Sequence, residues 1–537
     1  MIPLRLPLLL VTAALLLTGC GPRETRVAAG NRTQTIHIGN MAEPTDLDPQ
    51  IINSLEDYKI VMNLMEGLTA CRPKDCQPVP GVAERWEASP DGLTWTFHLR
   101  ANAVWSNGDP VTADDFVYAY RRMLSPGLAA EYAYMLFSLQ GAREFNTGKL
   151  ADFTQVGVKA PDARTLVLSL AFPVPYLPSL VYHNAWYPVH RATIEKFGKI
   201  DQRSTLWTRP GNYVGNGAFV LSAWEPNQII RLTKSPTYWD REAVRLQEAD
   251  FYPIESSTTE EAAFRSGQLH ATAQIPSEKI ETYQKEHPDF LHQDTNLATY
   301  FYRFNVTKPP LNDVRVRRAL SLAIDRQAIV ERVVKGGQLP AFHLTPPNTA
   351  GYTANVTFHE DVAAARQLLA EAGFKDGQGF PRLEILYNTT EGHRLVAESL
   401  QQMWRKNLGI DIGLYNQEAK VWNDTMRQGN YQIARYGWVG DYLDPSTFLE
   451  LMTTGNGNNQ TGWSNPEYDR LIDQARRTLD PARRFALYHQ AEDLLMAEMP
   501  IMPIYFYVRN DLLLPCVKGW YGNLLDLHPL KGVYLEP

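Results

Sequence analysis

The length of the chain is what most constrains how it can fold. A single hydrophobic core stops growing at roughly 250–300 residues, and this sequence has 537. We therefore expect two or three domains. The composition, with 44% hydrophobic and 21% charged residues, is typical of a globular protein.

The N-terminus carries the features of an export signal. Arg5 precedes an apolar run over residues 6–17, which ends in Thr18-Gly19-Cys20. The run is shorter than the ~20 residues that a membrane-spanning helix needs, and it fits the charged and apolar regions of a secretory signal. No later stretch approaches the ~18 consecutive apolar residues of a membrane helix, so we expect the remaining chain to be soluble.

The end of this run resembles a bacterial lipobox, in which cleavage precedes a cysteine that is then lipidated. The resemblance implies a signal peptide over residues 1–19 and a membrane anchor at lipidated Cys20. More than one acyl chain on this cysteine would anchor the protein stably. An ordinary signal peptide with a chance cysteine is the alternative. Residues 20–32 are polar and low in apolar content, which is typical of a tether.

Three further cysteines follow. Cys71 and Cys76 flank a turn-like insert of four residues, and in an exported protein such a pair favours a local disulfide. A metal site would need two more ligands at suitable spacing, and none is nearby, so we predict no metal. Cys516 is left over and is predicted to be a buried free thiol.

Hydrophobic periodicity indicates both strands and helices. Residues 93–99 and 166–170 alternate apolar and polar positions, as half-buried strands do. Residues 362–369 and 485–495 repeat apolar positions at helical spacing, and Gly373 is placed to cap the first of these helices. Such a mixture favours several α/β or α+β units over one barrel or a helical array.

The sequence offers little sign of catalysis. It has no Gly-x-Ser-x-Gly nucleophile elbow, and no phosphate-binding loop, zinc-helix motif or dinucleotide-binding loop. The net charge of −7, without a block of Lys or Arg, argues against a nucleic-acid partner. We therefore predict a protein that is not an enzyme and that carries no cofactor.

Residues 434–445, ARYGWVGDYLDP, combine groups that could hold a free peptide. They place the cation Arg435, the aromatic Trp438 and the anion Asp441 close together, interleaved with Gly437 and Gly440. A peptide has an amine at one end, a carboxylate at the other and a backbone that forms hydrogen bonds between them. The segment offers a partner for each, although a surface loop with an ion pair is the simpler alternative.

Motifs along most of the chain resemble those of the oligopeptide-binding proteins of ABC importers, solute-binding protein family 5. The matching segments are Asp48-Pro49, MEGL at 65–68, PGVAE at 80–84, WTFHLR at 95–100, WSNG at 105–108, NGAF at 216–219, SPTYW at 235–239 and PPLNDVRVRRA at 309–319. Several ordered matches over more than 400 residues are far more specific than any one of them.

The resemblance implies a mixed α/β, bilobal periplasmic-binding-protein fold with three domains and a ligand cleft between the lobes. Domain I would be discontinuous, domain II would complete the first lobe, and domain III would form the second lobe. The implied ranges are 33–65 with 192–296 and 508–537 for domain I, 66–191 for domain II, and 297–507 for domain III.

The same resemblance implies a function. The chain would be an exported protein, periplasmic or at the cell surface, that captures oligopeptides in the cleft and delivers them to ABC permease subunits in the membrane. We expect it to act as a monomer. A murein-peptide or signalling-peptide receptor on the same fold is the alternative, and a chaperone or a peptidase also stays open.

Family resemblance assigns roles in the cleft residue by residue. Asp441 matches the carboxylate that binds the ligand's ammonium group, since a buried carboxylate needs a paired cation. Backbone segments on either side would pair with the peptide as strands do, which suits a carrier of many sequences. These segments are Gly437, Trp438 and Val439 on one side and Asn53, Ser54 and Leu55 on the other; Tyr132, Trp438 and Tyr507 would line the cleft.

The end that would hold the ligand's carboxylate departs from the family pattern. Arg435 matches a family arginine for this role, and His393 matches a histidine associated with longer ligands. A second family cation is replaced by Met426, with Arg427 beside it, and a family acidic residue is replaced by Arg303.

A cleft aromatic is replaced by Ala419, and two family cysteines by Ala298 and Val439. We predict that these changes move positive charge and open one pocket. The expected outcome is a preference for acidic ligands or ligands of distinct length, such as a cell-wall peptide, with neutral drift as the alternative.

Overall fold

A computed structural model describes residues 24–52, 54–417 and 419–536. The predicted signal peptide, the lipidation site Cys20 and the cleft residue Asn53 therefore lie outside the described residues. Within them, no helix combines the length and the apolar composition that a membrane crossing requires, and no group of three or more His, Cys, Asp or Glu side chains is arranged to hold a metal ion.

The described strands are distributed along the whole chain. They are β1 (Thr35–Gly39), β2 (Thr69–Cys71), β3 (Pro78–Pro80), β4 (Ala83–Ala88), β5 (Thr94–Leu99), β6 (Val158–Asp162), β7 (Thr165–Ser169), β8 (Phe219–Glu225), β9 (Ile229–Lys234), β10 (Glu248–Tyr252), β11 (Leu291–Phe304), β12 (Leu339–Pro340), β13 (Leu383–Asn388), β14 (Ile412–Gln417), β15 (Ile433–Val439), β16 (Ile501–Leu512), β17 (Val517–Lys518) and β18 (Tyr534–Leu535).

Helices cover the faces and ends of the sheets, and short 3₁₀ turns join many of them. The α-helices are Arg26–Thr33, Leu55–Leu64, Ala113–Leu124, Ala142–Asn146, Leu177–Leu180, Arg191–Phe197, Ser257–Arg265, Ser277–Glu286, Val314–Leu322, Arg326–Ala328, Val362–Glu371, Glu391–Leu408, Ala419–Arg427, Ser446–Leu449, Pro466–Arg476 and Pro481–Glu498. The helix Arg326–Ala328 continues into a π-helical turn over Ile329–Val334.

Three larger sheets organise the chain. Their strand orders are β1-β10-β9-β8, β4-β5-β7-β6 and β12-β16-β11-β15-β13-β14. The first two sheets lie within the segments predicted for domains I and II, and the third lies mainly within domain III. The mixed α/β class is confirmed, while the domain boundaries stay predictions.

Two long strands run from the first lobe into the second. β11 and β16 pair antiparallel from Leu291↔Leu512 to Arg303↔Ile501, so both pass the predicted boundaries near residues 297 and 507. Their register shifts between Thr295 and Thr299, at this boundary. An irregularity of this kind bends the strands locally, which suits a connection between two lobes.

The periodic segments of the sequence form the predicted elements. Residues 94–99 and 165–169 are strands β5 and β7, with alternate side chains buried. The stripe at 362–369 lies on the helix Val362–Glu371, and Gly373 follows it with a positive φ of 97°, as a helix-ending glycine does.

The N-terminal tether prediction is wrong for residues 26–32, which belong to the helix Arg26–Thr33. The Thr25 hydroxyl accepts a hydrogen bond from the Ala28 N–H at 3.1 Å, and the Val27 N–H donates to the Gly267 carbonyl at 3.0 Å. Capping and docking against the first lobe therefore order a segment whose composition is too polar to predict it.

The cysteine pair lies in the hairpin formed by β2 and β3. Cys71 and Cys76 are buried as free thiols, with their sulfur atoms 2.6 Å apart. The Cys76 sulfur also lies 3.2 Å from the Asn523 amide oxygen. The disulfide therefore stays a prediction, whereas Cys516 is a free cysteine that is partly exposed and not buried as predicted.

A buried ion pair joins the segments predicted for domains I and II. Arg122, on the helix Ala113–Leu124, is fully buried. Its guanidinium donates to the Asp48 carboxylate at 2.9 and 2.6 Å and to the Gln50 amide oxygen at 2.6 Å. Removing the cation would leave the Asp48 carboxylate buried without its partner, which is costly in the protein interior.

We expect the substitution Arg122→Ala to lower the free energy of unfolding by roughly 3–5 kcal/mol. The matched control is Arg121→Ala, since Arg121 is the exposed neighbour on the same helix and should change stability by about 0.5 kcal/mol or less. Urea denaturation followed by tryptophan fluorescence measures both. Equal midpoints for the two variants would show that the buried pair does not stabilise the fold.

Candidate functional site

A cavity of about 340 Å³ lies where the two lobes meet. It brings together most of the residues predicted for the amine end of a ligand. The lining includes Ser54, Leu55 and Tyr132 from the first lobe and Val439 and Asp441 from the second. Residues far apart in the sequence therefore form one site between the lobes.

The backbone of β15 offers a free edge beside this cavity. β15 pairs with β11 along its whole length, from Phe304↔Ile433 to Ala298↔Val439. On its other side it pairs with β13 only at Ile433 and Ala434. Residues 435–439 therefore have one edge without a strand partner among the described residues, and an extended peptide can add there as a further strand.

Gly437 keeps this part of β15 open. A Cβ atom at this position would lie 3.2 Å from the Tyr507 hydroxyl and 3.5 Å from an Arg435 nitrogen. A side chain here would crowd the Tyr507 hydroxyl, to which Arg435 donates. Val439, two residues on, is 64% exposed, so the end of the free edge is accessible from the cleft.

Asp441 carries a negative charge in a desolvated position. Its backbone N–H donates to the Thr447 hydroxyl at 3.1 Å, which fixes the turn after β15. Burial raises the pKa of its carboxyl to about 6, and a hydrogen bond from Tyr134 only partly opposes this rise. No Lys, Arg or His of the described chain forms an ion pair with it, so the site lacks the cation that a buried carboxylate needs.

Tyr134 is a site residue that the sequence analysis missed. Its hydroxyl lies close enough to Asp441 to lower the pKa of that carboxyl, and its ring lies 5.9 Å from that of Tyr132, the predicted cleft residue two positions earlier. The sequence shows Tyr132 and Tyr134 two positions apart. It does not show that the first lobe packs so that Tyr134 lies near Asp441.

An aromatic contact between the lobes lies beside Asp441 and was also missed. The rings of Tyr176 and Tyr442 stack with centroids 4.8 Å apart and planes at 6°. Their hydroxyls lie 3.3 Å apart. Tyr176 comes from the first lobe and Tyr442 from the second, so this stack fixes how the lobes meet next to the carboxylate.

Arg435 forms the cationic part of the site. Its guanidinium donates to the Tyr507 hydroxyl at 2.9 Å and to the Asn388 amide oxygen at 3.3 Å. It also lies 4.7 Å from the ring centre of Tyr300. Among the described residues no carboxylate pairs with it, and its Nε has no hydrogen-bond partner. The arrangement can therefore accept an anion.

His393, which the resemblance associates with longer ligands, lies next to this cation. Its Nδ1 is 3.3 Å from the Tyr300 hydroxyl. Burial, together with the positive charge of Arg435, lowers the pKa of His393 to about 4. The imidazole is therefore neutral near pH 7 and serves as a hydrogen-bonding group rather than as a second cation.

Arg303 does not reach the cleft surface. Its side chain is fully buried, and its guanidinium donates to the Gln460 amide oxygen at 2.8 Å and to the Asn458 carbonyl at 2.6 Å. It stacks 3.4 Å from the ring centre of Tyr436. The face of β11 that carries this residue packs into the domain, which the sequence match alone did not indicate.

Arg427 also lies outside the site. It is exposed, 3.9 Å from Asp424 on the surface of the same helix. Met426 is buried in an apolar cluster with Trp422, next to Tyr436. The predicted shift of positive charge into the cleft therefore does not occur at Arg303 or Arg427, and Arg435 is the predicted cation that the structure places there.

The segment predicted to face β15 across the cleft, residues 53–55, is only partly described. Asn53 lies outside the described residues. The Ser54 hydroxyl accepts a hydrogen bond from the Asp57 N–H at 3.1 Å and so caps the helix Leu55–Leu64. Leu55 lines the cavity. Trp438 is half-buried on β15, and its indole N–H has no partner.

Comparisons with known proteins agree with this geometry. Residues 77–460 match the family of bacterial extracellular solute-binding proteins, family 5. The chain is 40% identical over 512 residues to the periplasmic oligopeptide-binding protein OppA of Escherichia coli (strain K12), covering 93% of this chain and 91% of that one.

Two solved structures are similar over almost the whole chain. The unliganded open form of the periplasmic murein tripeptide-binding protein MppA has a TM-score of 0.86 at 36% identity, covering 94% of this chain and 97% of that one. Haemophilus influenzae OppA in complex with the peptide RPPGFSPFR has a TM-score of 0.70 at 35% identity, with coverage of 94% and 99%. The chain belongs to family 5 of the bacterial extracellular solute-binding proteins and has their bilobal fold.

The raised pKa of Asp441 leads to a prediction for the ligand-free protein. Because the folded pKa of about 6 exceeds the unfolded value near 3.9, the contribution of Asp441 to wild-type stability falls as pH rises from about 4 to 6. Asp441→Asn, which cannot ionise, should therefore be more stable than wild type by roughly 1–3 kcal/mol at pH 8 and equal to it near pH 4. Thermal unfolding at both pH values tests this; an equal difference at the two would contradict it.

Proposed function

We propose that this protein captures oligopeptides in the cleft between its lobes and delivers them to the permease of an ABC importer. The observation that carries the proposal is the unpaired Asp441 carboxylate at the end of a free strand edge. A peptide ammonium supplies the missing cation, and the peptide backbone supplies the missing strand. Both groups exist on every peptide regardless of its side chains, which suits a carrier of many sequences.

Arg435 gives the ligand a direction. Asp441 and Arg435 lie six positions apart, a span of roughly 20 Å along an extended chain. A peptide bound with its amine at Asp441 and its carboxylate toward Arg435 runs antiparallel to β15. We take extended ligands of a few residues, up to about six, to fit this span.

Closure of the lobes would follow ligand binding. The cavity wall comes from both lobes, so a ligand that contacts both stabilises their approach. The greater similarity to an unliganded open form, with a TM-score of 0.86 against 0.70 for a peptide complex, supports the view that this conformation precedes capture. The nearby stack of Tyr176 on Tyr442 would form one side of the pivot.

The proposed setting is outside the cytoplasmic membrane. Export would follow from the N-terminal signal, and lipidated Cys20 would hold the protein near its permease as a monomer. ATP hydrolysis would belong to the importer. The similarity to a murein tripeptide-binding protein, together with the unpaired cation Arg435, favours murein peptides as a second candidate ligand class.

If Asp441 holds the ligand's amine, removing its carboxylate should weaken peptide binding. Asp441→Ala should keep the fold and weaken tripeptide binding by roughly 2–5 kcal/mol, because a buried partner of the ligand charge is removed. Acetylating the peptide amine should cause a similar loss on wild type and little further loss on the variant. Calorimetry measures all four combinations.

The matched control is Asp424→Ala, which removes an exposed carboxylate from the second lobe and should leave affinity unchanged. If the acetylated and free peptides bind wild type equally, Asp441 does not hold the amine.

If Arg435 holds the ligand's carboxylate, removing its guanidinium should also weaken peptide binding. Arg435→Ala should weaken binding of a tripeptide by roughly 1.5–3 kcal/mol and have little effect on the same peptide with an amidated C-terminus. Arg427→Ala, on the exposed helix surface, is the control. Calorimetry with murein tripeptide and with a neutral tripeptide, on wild type and on Arg435→Ala, tests whether murein peptides are preferred. Equal affinity for the two tripeptides would exclude a preference for acidic cell-wall peptides.

A further inference from the structure

The cavity beside Asp441 has an apolar wall. Leu55 and Tyr132 contribute from one side, Leu297 from the other, and Leu525 and Leu527 from the C-terminal segment that returns to the first lobe. Its volume of about 340 Å³ exceeds the ~150 Å³ of a cavity that holds benzene. The space is therefore large enough for an amino-acid side chain of any size.

The first residue of a bound peptide must enter this space. The cavity is lined by Asp441 itself, and the ammonium group and the first side chain are attached to the same Cα atom. An amine held at the carboxylate therefore places the first side chain beside this cavity, since its Cβ atom lies two bonds from the ammonium nitrogen. This step rests on the proposed function.

The charges around the cavity are already neutralised. Asp526 lines it as well, but its carboxylate lies 3.0 Å from the Lys59 ammonium and 2.9 Å from a His528 nitrogen and is also paired with Arg509. A basic side chain would find the Asp526 carboxylate already engaged by these cations. An acidic one would meet Asp441 and lose its hydration without gaining a free cation.

The histidine ring on the wall is neutral. His183 packs 5.2 Å from Tyr132 and 5.6 Å from Tyr58, centroid to centroid. Burial lowers the pKa of His183 to about 4, so it carries no charge near pH 7. An aromatic side chain can extend this group of rings, because edge-to-face contacts between rings are favourable.

We propose that the cleft selects peptides whose first residue has an apolar or aromatic side chain, and that the wall formed by Leu55, Leu525 and Leu527 sets this preference. Later positions of the peptide lie along the open edge of β15 and are less restricted. Selectivity is thus concentrated at the amine end.

Calorimetry with Phe-Ala-Ala, Lys-Ala-Ala and Glu-Ala-Ala on the full chain tests the proposal. Phe-Ala-Ala should bind at least about tenfold more tightly than the other two, because only its side chain gains from burial. Equal affinities, or a preference for either charged peptide, overturn the selectivity but leave the proposed function standing. Absence of binding by all three overturns both.

A charged wall should change the preference. In Leu525→Lys the new cation should raise the affinity for Glu-Ala-Ala relative to Phe-Ala-Ala by about tenfold or more. Leu206→Lys is the matched control, since Leu206 is 62% exposed and lies outside the cavity; it should keep the wild-type order.

Circular dichroism checks the fold of both variants, and Leu525→Ser provides a milder change that should reduce the preference for Phe-Ala-Ala. If folded Leu525 variants keep the wild-type order of affinities, the wall does not set the preference and the proposal is overturned.

Discussion

The pairing of β11 with β16 is the interaction on which the arrangement of this protein depends. These strands pass from one lobe to the other, and their ladder extends on both sides of the boundary. At the irregular point the Leu297 N–H donates to the Leu524 carbonyl, and the Gly440 N–H donates to the Leu297 carbonyl, each at 2.7 Å. One residue of the crossing strand thus connects both walls of the cavity.

The site is built from groups that the fold leaves incompletely paired. Asp441 lacks a cation, Arg435 lacks a carboxylate, and the edge of β15 lacks a strand. Each deficit costs stability in the ligand-free protein, and a peptide can satisfy all three. By contrast, Arg122 and Asp526 are each held in a buried ion pair, so their charges stabilise the fold, whereas those of Asp441 and Arg435 stay available to a ligand.

The pattern of apolar residues predicted helices and strands better than it predicted contacts between side chains. Alternation at 93–99 and helical spacing at 362–369 depend on burial of one face, which the sequence displays directly. Motif resemblance placed Asp441, Arg435, His393 and Tyr132 at one cleft. The roles of Tyr134 and Tyr442 depend on how the lobes pack, and the burial of Arg303 depends on which face of β11 points inward. The helix Arg26–Thr33 is ordered by capping and docking, which its polar composition does not reveal.

Because β13 pairs with β15 only at Ile433 and Ala434, the rest of β15 has a consequence for association with other chains. An unpaired strand edge normally invites other chains to add to it and aggregate. Here the open stretch is only residues 435–439, and its end at Val439 lines the cavity between the two lobes. A folded protein cannot bring its own edge into that space, whereas a short free peptide can. The limited width of this space therefore favours short peptides and disfavours association with folded proteins.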